Sequence, residues 1–482
     1  MLEDIIQERK KKLANLVKAG FYPYPERVKR THLVNELITN FAKLAEEKKK
    51  VFACGRITGL RDQGKIVFYD IADESGKIQT VLKAENLEQH FQLFKENLDI
   101  GDFIEVGGML FETQKKEKSI EIESLRPIVK SLRPIPEHWY GLEDVETRLR
   151  QRYLDVLTHP DVKELFIKKN AFWQAFREHL QKQGFLEVET PVLETVPGGA
   201  DAEPFITHHN ALDTDFYLRI SLEITLKKLL VAGYEKIFEI GRIFRNEGID
   251  AEHLQDYTQL ELYWAYADYD RLMELIEKMY KKVIKEICGG LTTTYHGQKI
   301  NWDKKWPIVD YCEIFKEKTG LDLNKATEKE LFAKATKEGL KPDKSWSRGR
   351  LINKLFNKLA RPHLIQPCFL INPPVEIEPL AKRLPEESGK VARFQVMAAG
   401  TELGKGFSEA NDPLDQRQRF EEQMKLRDKG DKEAQRLDED FLEALEYGMP
   451  PAAGFGVSER LFAVLMDKPI REIVFFPLMR RK

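Results

Sequence analysis

Two runs of alternating side chains, Ile237 to Glu247 and Tyr257 to Tyr263, constrain this chain more than any other stretch. A strand turns successive side chains to opposite faces, so Phe238, Ile240 and Phe244 share one face and Glu239, Arg245 and Glu247 the other. Gly248 to Asp256 is a polar loop rich in breakers. After it, Thr258, Leu260 and Leu262 fall on one side, and Tyr257, Gln259, Glu261 and Tyr263 on the other. The pattern predicts two antiparallel strands with an apolar face and a face on which a guanidinium, several carboxylates and two phenols converge. Such a face suits a charged ligand. It is also how the solvated side of a half-buried sheet reads, and the period alone does not choose between the two.

The chain before this stretch divides by period. Leu2, Ile5, Ile6, Leu13 and Leu16, closed by Gly20, predict an amphipathic helix over Met1 to Ala19, and a second helix is expected from a Thr31 cap through Leu44. Tyr22-Pro23-Tyr24-Pro25 between them reads as extended. The formal net charge of the chain is −2, yet residues 1 to 50 carry 12 Lys/Arg against 7 Asp/Glu. Local charge matters more than the total for polyanion binding. From Val51 the period becomes two: VFACGRITG, KIVFYDIA, KIQTVLK, FIEVGGMLFET and SIEIES predict five strands, with a helix over Glu85 to Asn97 between the third and fourth. That order is the order of an OB-fold, a barrel that binds oligonucleotides, and the bare pattern fits some other small barrel equally well.

Leu132 to Val145 is a proline-containing linker. Helical spacing returns from Asp161 to Gln183, stopped by Gly184, and FLEVETPVL reads as a strand. Residues from about 292 to 387 read as an insertion, and Leu414 to Glu446 as a charged, solvated helix pair. His208 and His209 are adjacent, so on a strand they point apart and do not suggest a metal. Cys54, Cys288, Cys312 and Cys368 form no CxxC pair, which argues against a disulfide framework or a zinc site. Neither a run of about 18 apolar residues nor a signal-like N-terminus is present, and a reducing cytoplasm fits.

FRNEG at Phe244 to Gly248, His253 in the loop and LELY at Leu260 to Tyr263 resemble motif 2 of class II aminoacyl-tRNA synthetases. The helix over 161–183 with its strand and Pro191 resembles motif 1, the dimer interface of that family, and MPPAAGFGVSERLFAVL resembles motif 3. PGGA, PFITHHNALD, YLRISLE, PLAK and RFQVMAAGTELGKGFSEAND are similar to the lysyl branch specifically. The resemblance implies an α+β chain: an N-terminal OB-fold β-barrel followed by a class II catalytic domain with an antiparallel sheet flanked by helices. The expected divisions are basic helices over 1–50, an anticodon-binding barrel over 51–131, a linker over 132–150 and the catalytic domain over 151–482. The implied activity is ATP-dependent formation of lysyl-adenylate and transfer of lysine to tRNA(Lys), with Mg2+ as cofactor, in a cytoplasmic homodimer.

Residue by residue, the resemblance makes Arg245 and Arg460 the catalytic pair. Arg245 would bind the ATP α-phosphate and the lysine carboxylate through its planar fork. Glu247 would read adenine, His253 reach the terminal phosphates, and Tyr257 and Arg460 sandwich the base. Gly199 and Glu261 would hold the α-ammonium, Glu223 and Glu409 the ε-ammonium, with Tyr263 adding a hydroxyl and Phe407 packing beside the substrate chain. Glu402, Gln395 and Glu409 form the implied metal set. Arg61, Phe68 and Gln79 fall at anticodon-contacting positions of the barrel. The chain departs from the pattern at Gln395, where a second magnesium-binding Glu is expected, and at Lys405, where Asn is expected. It departs again at HLQDY in the motif 2 loop and at Ser458. Lys405 is expected to engage the substrate carboxylate or the phosphates. An alternative consistent with these departures is a catalytically impaired homologue acting as an RNA-binding or regulatory protein.

Overall fold

The computed structural model describes residues 2–87, 89–136, 144–248, 254–343, 346–384, 387–428 and 434–480, without the side chains of 387 and 388. The chain forms two compact units, Met1–Glu143 and Asp144–Lys482.

In the first unit, β1 (Val51–Asp62), β2 (Ile66–Ala72), β3 (Lys77–Lys83), β4 (Phe103–Glu112) and β5 (Lys118–Val129) close into a barrel in the order β1-β2-β3-β5-β4. The helix between β3 and β4 covers only Phe91–Asn97. Its expected first turns are lost because the Asn86 amide donates to Glu121 Oε1 and Ile122 O, tying that segment to β5. The N-terminal helix runs over Leu2–Lys18 as expected. The second is two short helices, Val34–Thr39 and Phe41–Glu46. Thr31 is no cap: its N–H donates to Phe52 O and its Oγ1 accepts the Phe52 N–H, both at 2.9 Å, so it is spent on the barrel edge. Leu16, Val34, Leu37, Phe41 and Leu44 join Val51, Tyr69 and Ile104 in one buried cluster. Each such side chain contributes about 1.5–3 kcal/mol. Residues 1–50 are therefore part of the barrel unit and not a separate domain.

The second unit is built on an eight-stranded sheet: β6 (Leu186–Glu187), β7 (Lys236–Phe244), β8 (Asp256–Ala265), β9 (Ile308–Asp310), β10 (Cys368–Ile371), β11 (Arg393–Ala398), β12 (Thr401–Ser408) and β13 (Ala452–Ser458). The spatial order is β9-β10-β11-β12-β13-β8-β7-β6. It is antiparallel except at its two edges, where β6 pairs with β7 and β9 with β10 in parallel. One face carries Phe238, Leu260, Leu262, Phe394 and Phe455 against the helices Pro160–Lys182 and Tyr269–Cys288. On the other, Ile237, Ile243 and Tyr263 pack with Leu226 and Leu230 of the helix Glu223–Val231. The face expected to be polar is thus covered at both ends and open only in the middle.

Four further sequence expectations change. The segment 292–387 is not set apart, since it supplies β9 and β10 to the main sheet. Residues 144–150 are not linker: Val145–Arg150 is a helix of the second unit, capped by Asp144, whose Oδ2 accepts the Thr147 N–H at 2.8 Å. FLEVETPVL breaks into β6 and Leu193–Glu194, which pairs instead with Thr214–Leu218. Pro191 has no N–H to give a ladder, and the Thr190 carbonyl accepts from Arg219 Nη1 at 3.0 Å. The charged pair of helices, Pro413–Asp428 and Glu439–Glu446, also buries Phe420, Phe441, Leu442 and Leu445, so it is more than a solvated face.

Candidate active site

The register across β8, β13 and β12 builds the pocket. Glu261 stands opposite Gly456 and Gly456 opposite Lys405; Tyr263 stands opposite Gly454 and Gly454 opposite Phe407. Directly opposed residues share a face, so two glycines form the floor of a trough between larger side chains. A Cβ at Gly454 would collide with Glu409 Oε1 and with the Tyr263 ring. Tyr257, Gln259, Glu261 and Tyr263 line this trough together with Gly199, Ser221, Glu223, Arg245, Glu402, Lys405, Phe407 and Arg460. Gly199 closes one side at φ +82°, where a Cβ would press on Ser221 and Glu223 at 2.9 Å. That backbone favours glycine.

Glu261 is held by four neutral donors. Ser221 Oγ donates to it at 2.8 Å, the Leu222 N–H at 3.1 Å, Gln259 Nε2 at 2.7 Å and Tyr263 OH at 2.9 Å. No cation among the described residues is hydrogen-bonded to it, and it lines the trough. Arg245 Nε donates to Ile220 O at 3.1 Å, and its guanidinium lies 5.7 Å from the Tyr257 ring centre. Arg460 opens the helix Arg460–Leu465 directly after β13. Glu247 follows Arg245 but is not on the trough's described lining, and His253 lies outside the described residues.

At the deep end, Glu223 and Glu409 converge on a residue that sequence reading passed over. Lys227 Nζ lies 2.6 Å from Glu223 Oε1 and 2.5 Å from Glu409 Oε2. Burial pushes the Glu223 carboxyl up to about 7 against the pull of Lys227, and pushes Glu409 well above its ordinary value. Burial would lower the Lys227 ammonium, but the two carboxylates outweigh it and hold it above the usual range. The i, i+4 spacing of Glu223 and Lys227 was the one local signal for this contact. Glu378 was missed as well: burial alone would raise it, and Lys405 and Arg393 outweigh that and hold it below the usual carboxylate range.

A magnesium ion needs hard oxygen ligands, and commonly takes one or two carboxylates plus substrate phosphates. Of the expected set, Glu402 lines the trough and fits. The Gln395 amide nitrogen donates to Glu402 Oε2 and brings no charge of its own. Glu409 does not fit: it is 1% exposed and its Oε2 is committed to Lys227. Among the described residues no group of three or more His, Cys, Asp or Glu could hold a metal. The residues present therefore suit an ion anchored by Glu402 and completed by phosphates.

In the barrel unit, Arg61 stands opposite Phe68 and Asp70 opposite Gln79. The three expected anticodon residues thus share one face. The Phe68 ring is partly exposed and outside the barrel core, with the Arg61 guanidinium 5.8 Å from its centre. Gln79 is buried, donating to Glu117 Oε2 and accepting from Ser119 Oγ, each at 2.9 Å.

Residues 144–480 match the family model described as tRNA synthetases class II (D, K and N), and residues 51–128 match the OB-fold nucleic acid binding domain. A lysine-tRNA ligase of Moorella thermoacetica is 45% identical over 99% of this chain and 98% of its own. One from Roseiflexus castenholzii is 44% identical over 99% of both, and one from Oceanobacillus iheyensis 42% identical over 100% and 99%.

Proposed function

The chain belongs to the class II tRNA synthetases and, among them, to the lysine-tRNA ligases, and from that premise we propose how its own residues do the work. The observation that carries the reading is Glu409 Oε1. It is buried with no hydrogen-bond donor among the described residues, pressed against the trough floor beside Glu223 and Tyr263. A buried carboxylate oxygen without a donor costs about 1–3 kcal/mol or more, and a substrate ammonium entering over Gly454 supplies that donor. Aspartate would bring a carboxylate, which has no donor, and the amide of asparagine is uncharged and on a side chain too short to take the place of the ε-ammonium.

In this reading the ε-ammonium sits between Glu223 and Glu409, the stem lies against Phe407, and the α-ammonium meets Glu261 and the Gly199 carbonyl. Arg245 bridges the lysine carboxylate and the α-phosphate. The carboxylate oxygen attacks the α-phosphorus, the bond to the bridging oxygen breaks, and pyrophosphate leaves. The terminal hydroxyl of tRNA(Lys) then attacks the acyl carbon, loses its proton and displaces AMP. Tyr257 and Arg460 stack on adenine, Glu247 reads its edge, and His253 belongs to the terminal phosphates. Positioning and fixed charge carry both steps. Magnesium, held by Glu402 and the phosphates, supplies charge neutralisation when bound.

Arg61, Phe68 and Gln79 meet the anticodon. The enzyme works as a homodimer, a reading supported by the exposed apolar side chains of Leu186, Val192 and Leu193 in the segment that follows the helix Pro160–Lys182 in sequence. Its place is the cytoplasm, consistent with four free cysteines and with the absence, among the described residues, of a helix long and apolar enough to cross a membrane. Glu223→Gln tests the substrate assignment. Loss of one charge-assisted hydrogen bond, worth about 1.5–3 kcal/mol, raises the lysine KM about tenfold or more and leaves the ATP KM unmoved; an unchanged lysine KM overturns the assignment.

A further inference from the structure

Lys227 stands one helical turn after Glu223 and has no exposed surface. Its ammonium bridges Glu223 and Glu409 and lies 5.3 Å from the Phe407 ring centre and 5.9 Å from that of Phe441. It is not on the trough wall; it stands behind Glu223, which is, and pairs with Glu409, whose Oε1 lies under Gly454 of the floor. Burying an ion costs several kcal/mol, and a well-packed apolar side chain would often stabilise a core position better. The cost calls for a reason beyond packing.

The charges at the deep end can be assigned one by one. Glu378 is answered by Lys405 at 3.0 Å and Arg393 at 3.4 Å, and the one cation in excess is offset by Glu402, which also acts on Lys405. Glu261 is held by neutral donors and faces the α-ammonium. What remains is Glu223, Glu409 and Lys227, a group with one net negative charge once both carboxylates are ionised. One arriving ε-ammonium balances it.

We propose that Lys227 is a positioning residue that fixes the two amine-binding carboxylates and sets their combined charge with itself at minus one, so that the pocket accepts a single ammonium. The proposal rests on the reading that Glu223 and Glu409 hold the substrate's ε-ammonium. Without an internal cation, two buried carboxylates this close repel; they share a proton or turn apart, and either response must be undone before an amine binds. With a single carboxylate the charge would be right but only one side of the ammonium, which has three N–H donors, would be held. Lys227 allows two carboxylates to face one cation at no excess of charge.

The test compares lysine and ATP KM in pyrophosphate exchange for the wild type, Lys227→Met, Glu223→Gln and the double variant. Wild-type exchange driven by lysine is the control: its absence sinks the functional reading, whereas its presence leaves the Lys227 proposal to stand or fall by itself. Glu223→Gln takes the group to neutral, Lys227→Met takes it to minus two, and the double variant returns it to minus one. The proposal therefore predicts that each single variant raises the lysine KM about tenfold with the ATP KM unmoved, and that the double variant binds lysine at least about threefold more tightly than Glu223→Gln alone, the non-additivity of coupled neighbours. Should Lys227→Met fail to fold, the comparison of the double variant with Glu223→Gln decides. A double variant as weak as Glu223→Gln or weaker, or an ATP KM rising in step with the lysine KM, overturns the proposal and leaves Lys227 a packing residue.

Discussion

Lys405 Nζ lies 3.0 Å from Glu378 Oε2, with Arg393 Nη1 3.4 Å from the same oxygen. An ammonium where the family pattern has an amide is thus balanced from within the chain. The sequence expectation, that Lys405 would be spent on the substrate carboxylate or the phosphates, gives way to an internal pair on the trough wall. The departure at 405 therefore has a structural cause, and it gives no support to the impaired-homologue alternative.

Lys405→Asn removes one of two cations from a buried carboxylate. Because Lys405 is 37% exposed, the loss of stability in urea unfolding is expected below the 3–5 kcal/mol of a fully buried pair, about 1–3 kcal/mol. Glu378→Gln in the same chain restores most of it. Lysine activation persists in Lys405→Asn and stops in Lys405→Glu, where two carboxylates would face each other. A loss of activity in Lys405→Asn that Glu378→Gln does not relieve would tie Lys405 to the substrate instead.

A second pair adjoins Arg460, the residue proposed to stack on adenine. Lys169 of the helix Pro160–Lys182 bonds Glu459 Oε2 and the Ile473 carbonyl, the latter at 2.9 Å, while Glu459 Oε1 accepts the Thr258 N–H at 2.7 Å. Glu459 is fully buried and adjoins Arg460. Lys169→Met leaves that charge with only Arg242, whose Nη1 lies 3.6 Å from Glu459 Oε1, so it costs less in unfolding experiments than the about 3–5 kcal/mol of a pair fully broken, and it raises the ATP KM more than the lysine KM. Equal changes in both would mean that Arg460 is not positioned through Glu459.

How far the sequence could be read depended on the range of the interaction. Strands β7 and β8 show their period over seven or more residues, and the closed barrel follows from five such runs. Strands β9 and β10 are three and four residues long, too short for alternation to register, so the segment that holds them reads as an insertion. Arg245, Tyr257, Glu261 and Tyr263 were legible because a motif holds them close together in the chain. Lys227 with Glu409, and Lys405 with Glu378, are joined only by tertiary folding, and no local pattern announces either. Thr31 and Asn86 have good local propensities that longer-range hydrogen bonds override.

Lysine binding depends on pH. Burial pushes Glu223 up to about 7 and Glu409 well above its ordinary value, while in the proposed reading the substrate ammonium binds the ionised carboxylates. Binding therefore releases protons, and the lysine KM falls as pH rises from about 6 to 8, by up to about tenfold per unit for each proton released. Calorimetry in buffers of different ionisation enthalpy measures the release directly, and Glu223→Gln reduces it. Identical binding heats in all buffers would contradict the coupling.

The barrel unit can be tested without disturbing activation. Phe68 is outside the buried core and carries Arg61 beside its ring. Phe68→Ala should weaken tRNA charging by the worth of one stacked base, about 1–3 kcal/mol, with pyrophosphate exchange and the melting temperature unchanged. Parallel losses in all three would make Phe68 structural.

The most direct measurement is amino-acid-dependent ATP–pyrophosphate exchange on the purified chain with Mg2+. Glu409 beneath Gly454 and Glu223 beside Gly199 predict exchange with lysine and none above background with aspartate or asparagine. Exchange driven by aspartate or asparagine, or no exchange with lysine, would contradict the account.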